Sequence, residues 1–183
     1  MKTLIKNGLL IDPANQVQAY LNLILEDGKV TEEEPEADRV IDATGKVVAP
    51  GFIDIHMHED PVKDGKIEFC IFDAMLRMGV TTAVGGNCGI NVYDPVKYLD
   101  MVEKDGAPVN VMLFAGHQYF REAAGALDKY APVTKEQQEH MKKGLEKALE
   151  AGCVGISYGL RYVPGTGRDE FLDTASCCEK EHR

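Results

Sequence analysis

The sequence predicts an α/β protein: a small β module over residues 1–48, then about half of a (β/α)8 barrel over residues 49–183. Three observations carry this. The first 48 residues hold short apolar runs broken by Asn7-Gly8, Asp27-Gly28-Lys29 and a turn at Gly45, which are hairpin signals. From Val48 onward, four apolar or β-branched runs alternate with four helical patterns, the signature of parallel strands joined by crossovers. No G-x-G-x-x-G follows the first of those strands, which favours a barrel over an open dinucleotide-binding sheet. A whole barrel takes about 250 residues. The chain is therefore expected to be incomplete.

Each element has its own signal. In the β module, TLIKNGLLID reads as a hairpin, and Leu21, Leu23 and Leu25 alternate along the next strand. RVIDATGKVV repeats the pattern, and EEEPEAD at 32–38 reads as a solvated loop. FIDIH is the first barrel strand. A helix is expected over 67–78, stopped by Gly79. VTTAV at 80–84 is a buried strand. Asp94-Pro95 caps a helix running to about Lys104 and ending at Gly106. VNVMLFA at 109–115 is the third strand. Thr134 and Gln137 form a capping box, behind which Met141, Leu145, Ala148 and Leu149 make one face, closed by Gly152. CVGIS at 153–157 is the fourth strand, and residues 168–181 the fourth helix.

Composition narrows the function. The 183 residues are 44% hydrophobic and 27% charged, with a net charge of −10. With no basic stripe, a nucleic-acid partner is excluded. No run approaches the length of a membrane span, and MKTLIKNGLLID is too polar and short for a secretory signal. Five cysteines without scaffold spacing read as reduced thiols of a cytoplasmic protein. Cys70 and Cys153 are expected in helix and strand cores, while Cys177 and Cys178 point about 100° apart and carry no function.

The chemistry concentrates at strand ends. His56 and His58 are two apart at the C-terminal end of the first barrel strand, so both can converge on one ion. Barrel folds build their active sites at that end. For the tripeptide alone, two histidines by chance, or one capping a loop, explain most cases; the ordered context VVAPGFIDIHMH makes the metal reading the stronger one. Cys88 follows VTTAVGGN at the end of the second strand, where it is either a thiolate ligand for zinc or a buried, inert thiol. Asp60 either supports the histidines from behind or is a loop acid.

VVAPGFIDIHMHED after a β module resembles the opening of the amidohydrolase superfamily, and GVTTAV at 79–84 resembles its second strand. Within it, GGNCGI at 85–90, NVMLFAGHQYFR at 110–121 and GCVGISYGLRYVPG at 152–165 resemble the N-acyl-D-amino-acid deacylases, or D-aminoacylases. The resemblance implies a β-sandwich beside a metal-dependent barrel, one or two zinc ions, and His56, His58 and Cys88 as ligands. It implies hydrolysis of the amide of N-acyl-D-amino acids or related acylated amines, with a small acylated amino acid as substrate. The related metal-bridging lysine has no counterpart in CVGIS.

The resemblance also implies that a tyrosine at Tyr162 helps hold the substrate carboxylate; packing on the loop is the other reading. His117, in a G-H-x-x-L-R-like stretch with Phe120 in place of leucine, either lines the pocket or bonds its loop. Arg161 either pairs with an acidic substrate or lies on the surface, and Arg121 reads as structural. His140 and His182 read as solvated. The family's general base is an aspartate after the eighth strand, and further histidines follow strands five and six, so no catalytic base is expected within these residues. A homo-oligomer is compatible with this reading. The alternatives are a cyclic-amide hydrolase of dihydroorotase or hydantoinase type, against which Cys88 and the lysine-free fourth strand argue, and a non-catalytic truncated remnant.

Overall fold

The computed structural model describes residues 1–31 and 36–180, so most of the acidic run at 32–38, and His182, lie outside the described residues. Two compact units emerge, Met1–Gly51 and Phe52–Arg183.

Among its described residues the first unit has seven short strands: β1 (Lys2–Lys6), β2 (Leu9–Asp12), β3 (Val17–Tyr20), β4 (Leu23–Glu26), β5 (Lys29–Thr31), β6 (Arg39–Asp42) and β7 (Val47–Val48). They form two sheets, ordered β5-β4-β1-β6 and β3-β2-β7. The turn between β4 and β5 is the expected one, with positive φ at Asp27 (48°) and Gly28 (78°) as a tight hairpin requires. Asn7-Gly8 does not make a hairpin. β1 pairs with β4 and β6, β2 with β3 and β7, and the chain crosses between sheets at this dipeptide. A Cβ on Gly8 would come within 2.6 Å of Val48 Cγ2, so glycine serves close packing here.

The second unit is mixed α/β. Its elements are β8 (Phe52–Asp54), β9 (Val62–Lys63), β10 (Lys66–Ile67), α1 (Ile71–Arg77), β11 (Val80–Gly85), α2 (Pro95–Asp105), β12 (Asn110–Leu113), β13 (Ala115–Gly116), α3 (His117–Ala123), α4 (Lys135–Glu150), β14 (Ile156–Ser157) and α5 (Arg168–Lys180). The strands of the alternating pattern pair in parallel, as β12-β11-β8 and β13-β14. The expected third strand breaks at Phe114. Its first half follows β11 and its second follows β14, with Val154 N donating to Leu113 O (2.8 Å) and Ala115 N to Gly155 O (2.9 Å). The fourth strand is correspondingly shorter than 153–157. Phe72, Leu113, Leu145, Ala148 and Leu149 are fully buried between sheet and helices.

Helix α2 has the cap foreseen: Asp94 accepts from Lys97 N (3.1 Å), and Gly106 ends it at φ 79°. The Thr134–Gln137 capping box of α4 is reciprocal. Helix α1 starts four residues later than expected, for two reasons. Asp64-Gly65 turns β9 into β10, occupying residues 66–67. Asp60, fully buried, then accepts from the amides of Cys70 (3.0 Å), Ile71 (2.7 Å) and Phe72 (2.9 Å), supplying the N-terminal cap from ten residues away. Cys70 is therefore not a core residue. It is exposed, with its thiol donating to Asp60 Oδ1 (3.0 Å). No described helix is long and apolar enough to cross a membrane.

Candidate metal centre

The site grows from the ends of β8 and β11. Strand β8 stops at Asp54, whose Oδ1 accepts from His56 N (3.0 Å) and turns the chain out of the sheet. Beyond this turn, His56 and His58 are exposed and Met57 between them is buried, which preserves the two-residue alternation. Strand β11 ends at Gly85. Gly86, at φ 73°, then leads into a single 3-10 turn, Asn87–Gly89. Cys88 sits in the middle of it at φ 60°, ψ 19°. That left-handed conformation costs a non-glycine residue about 1–2 kcal/mol, so the surroundings must impose it.

Three neighbours do so. Asn87 donates to Val84 O (2.8 Å) and to Met57 O (3.3 Å), tying the turn to the peptide between the two histidines. Ser157, from β14, accepts from Gly89 N (2.9 Å) and donates to Gly86 O. Gly159 packs flat on the turn: a Cβ there would collide with Cys88 O and come within 2.7 Å of Tyr162 Cδ2. The outcome is that Cys88 Sγ lies 3.4 Å from His56 Nε2.

That separation suits a shared ion. A tetrahedral zinc bonded to one imidazole nitrogen and one thiolate sets those two atoms about 3.5 Å apart. Of the three ligands expected from the sequence, the structure brings His56 and Cys88 together. His58 remains exposed two residues on, and among the described residues no group of three or more His, Cys, Asp or Glu side chains is arranged to hold a metal ion.

The expected substrate-binding residues separate. Tyr162 is 51% exposed, lies against Gly159 beside the Cys88 turn, and its amide bonds Gly159 O (2.7 Å). Arg161 is exposed. His117 does not close a strand; it is the first residue of α3 and is 1% exposed. Its Nε2 lies 2.9 Å from Glu170 Oε1, an oxygen that also accepts from Arg121 Nε (3.0 Å). Arg121 further donates to the carbonyls of Asp128 (3.1 Å) and Ala131. Burial works to raise the Glu170 pKa, but His117 and Arg121 outweigh it and hold the carboxyl below its ordinary range.

Sequence reasoning missed Asn87, Asn91, Ser157, Glu59 and Glu170. Asparagines flanking a cysteine in GGNCGIN were the available signal for the first two; Glu170 lies in an ordinary helical pattern and offered none.

The chain is similar to several known proteins. The family model described as the amidohydrolase family matches residues 39–162. An N-acyl-D-glutamate deacylase of Alcaligenes xylosoxydans xylosoxydans is 36% identical over 151 residues, covering 70% of this chain and 30% of that protein. A D-aminoacylase of the same organism is 30% identical over 188 aligned positions, covering 88% of this chain and 38% of that protein. The crystal structure of N-acyl-D-glutamate deacylase from Bordetella bronchiseptica, complexed with zinc and a phosphonate mimic of the tetrahedral intermediate, superposes with a TM-score of 0.83. It is 29% identical, over 99% of this chain and 43% of that one. The chain thus spans well under half the length of these relatives.

Proposed function

This chain belongs to the amidohydrolase family, and on that premise we propose that it carries part of the active site of a zinc-dependent deacylase. The substrate is an N-acyl-D-amino acid or a related acylated amine, and the bond cleaved is the amide C–N. The barrel architecture and a cytoplasmic setting belong to the same reading. The observation that carries it is the 3.4 Å approach of Cys88 Sγ to His56 Nε2, a distance suited to one shared ion. The zinc-complexed deacylase that superposes over 99% of this chain supports it.

In this reading His56 and Cys88 hold the metal, and His58 completes the set from the same strand end. Bound zinc supplies Lewis-acid polarisation of the amide carbonyl and activation of water. The remaining roles fall to this chain's own groups. The phenol of Tyr162, beside the Cys88 turn, can donate to the substrate carboxylate while its ring walls the site. Arg161, directly before Tyr162 and exposed like it, offers a charge for an acidic side chain. His117 orients rather than touches substrate, since it is sealed against Glu170.

The test is zinc content by elemental analysis of the purified chain, with N-acyl-D-glutamate hydrolysis assayed beside it. About one zinc per chain, lost in Cys88→Ala, supports the reading; a folded chain without zinc overturns it.

A further inference from the structure

Asn91 lies three residues beyond Cys88 and is 8% exposed. Its Nδ2 donates to Glu59 Oε1 (2.9 Å) and to Phe114 O (3.0 Å), and its Oδ1 accepts from Gly116 N (2.7 Å). These partners come from separate places in the sheet. Glu59 follows β8, Phe114 is the break between β12 and β13, and Gly116 ends β13. A buried amide with both hydrogens and its oxygen engaged has one orientation open to it.

The space around this bracket is closed. A Cβ on Gly86 would collide with Phe114 O and reach 2.7 Å from Asn91 Nδ2, and one on Gly85 would reach 2.7 Å from Glu59 Cγ. Glu59 itself is 3% exposed, and its Oε2 has no hydrogen-bond partner among the described residues. The buried carboxylate therefore leans on the Asn91 amide, and losing that donor leaves it exposed to the full cost of desolvation.

We infer that Asn91, braced by Glu59, is a positioning residue that fixes the Cys88 turn at the distance from His56 which a shared ion requires. Asn87 and Ser157 hold the near side of the turn; Asn91 holds the far side, where the chain leaves it. Neither Asn91 nor Glu59 is a ligand in this scheme. The inference rests on the zinc reading of the His56–Cys88 pair, and its test separates the two.

The probes are zinc affinity, by chelator competition, and the alkylation rate of each cysteine by iodoacetamide in the metal-free chain, resolved by mass spectrometry. Asn91→Asp keeps the shape but sets a carboxylate oxygen against Glu59. Cys88 is then expected to react about tenfold faster and zinc to bind about tenfold more weakly, the effect of losing a hydrogen bond to a charged group. The buried Cys153 and Cys177 should stay unreactive. Glu59→Gln/Asn91→Asp restores a donor facing an acceptor between residues 59 and 91, leaves the bond to Phe114 O lost, and should recover at least half of the roughly tenfold change on a logarithmic scale in both readings.

Wild-type behaviour of Asn91→Asp in both measurements would overturn the inference, as would an equal rise at Cys153 and Cys177. If Asn91→Asp does not fold, Glu59→Gln alone decides, since it keeps the bond from Asn91 to Phe114 O: Cys88 reacting faster than in wild type supports the brace, and wild-type reactivity with wild-type zinc affinity removes it. A wild-type chain that binds no zinc, while Asn91→Asp still releases Cys88, keeps the positioning role and removes the metal.

Discussion

Cys88 Sγ and His56 Nε2 stand 3.4 Å apart across a separation of 32 residues. The approach is built by side chains that pin the backbone on either side of it. Asp54 turns His56 out of β8, while Asn87 and Ser157 hold Cys88 in a left-handed turn after β11.

The pair should therefore fail as a unit. Cys88→Ser and His56→Ala are each expected to weaken zinc binding by more than the roughly 10–100-fold lost when only an outer hydrogen-bond partner of a ligand is removed. The double variant should be little worse than either single one, because both remove the same ion. Chelator-competition titrations of the three variants measure this; additive losses would mean that the two side chains serve different ions.

Asp60 offers a prediction with a sign in pH. Burial pushes its pKa up, but the Cys70 thiol and the amides of Ile71, Phe72 and Cys70 outweigh it, leaving the folded value below the ordinary one. A depressed carboxylate pKa contributes stability above the unfolded value of about 3.9, and that contribution is lost as pH falls through the folded value. Asp60→Asn should cost about 1–3 kcal/mol at neutral pH. The gap in urea midpoint between wild type and variant should narrow below about pH 4. A gap independent of pH would show that the helix cap does not need the charge.

The edge of the parallel sheet gives a third. Strand β8 lies at the end of the β12-β11-β8 order, and Phe52, Ile53 and Ile55 are 68%, 64% and 70% exposed. An apolar edge strand invites pairing with another chain. Ile53→Lys/Ile55→Lys should raise the concentration at which the chain stays monodisperse, read by light scattering, with little change in thermal midpoint, since neither side chain is buried. A fall in midpoint by several degrees would mean that these residues support the fold.

Much of the arrangement was legible because its signals are local. Asp94-Pro95, Thr134 with Gln137, and the periodic Met141–Leu149 face each act within a few residues, and the structure reproduces them. Strand alternation predicted a shared face for His56 and His58, and the structure leaves both exposed just beyond β8 with His56 alone beside Cys88. What escaped acts at long range. Helix α1 is capped by a carboxylate ten residues upstream, the third strand bends to change partners, and α3 begins where a strand end was expected. Asn7-Gly8 shows the converse: a strong hairpin dipeptide yields to tertiary packing, because Gly8 is needed where Val48 and Ala43 leave no room.

His117 tests how far a helix-borne acid controls the site's surroundings. Glu170, on α5, gives one oxygen to both His117 and Arg121, all three being 3% exposed or less. In such a cluster each charge has given up water and relies on the others. Glu170→Gln removes the anion and leaves the Arg121 guanidinium buried against carbonyls alone, so a loss of about 3–5 kcal/mol is expected from breaking a buried pair on one side. Arg121→Met should cost less than Glu170→Gln, because the carboxylate retains His117 while the long methionine fills the space. Combining the two should recover part of the loss, since an apolar side chain beside a neutral amide leaves no unpaired charge. Urea denaturation of the four proteins measures each term; a double variant as unstable as the sum would mean that the cluster's worth lies in packing rather than in charge.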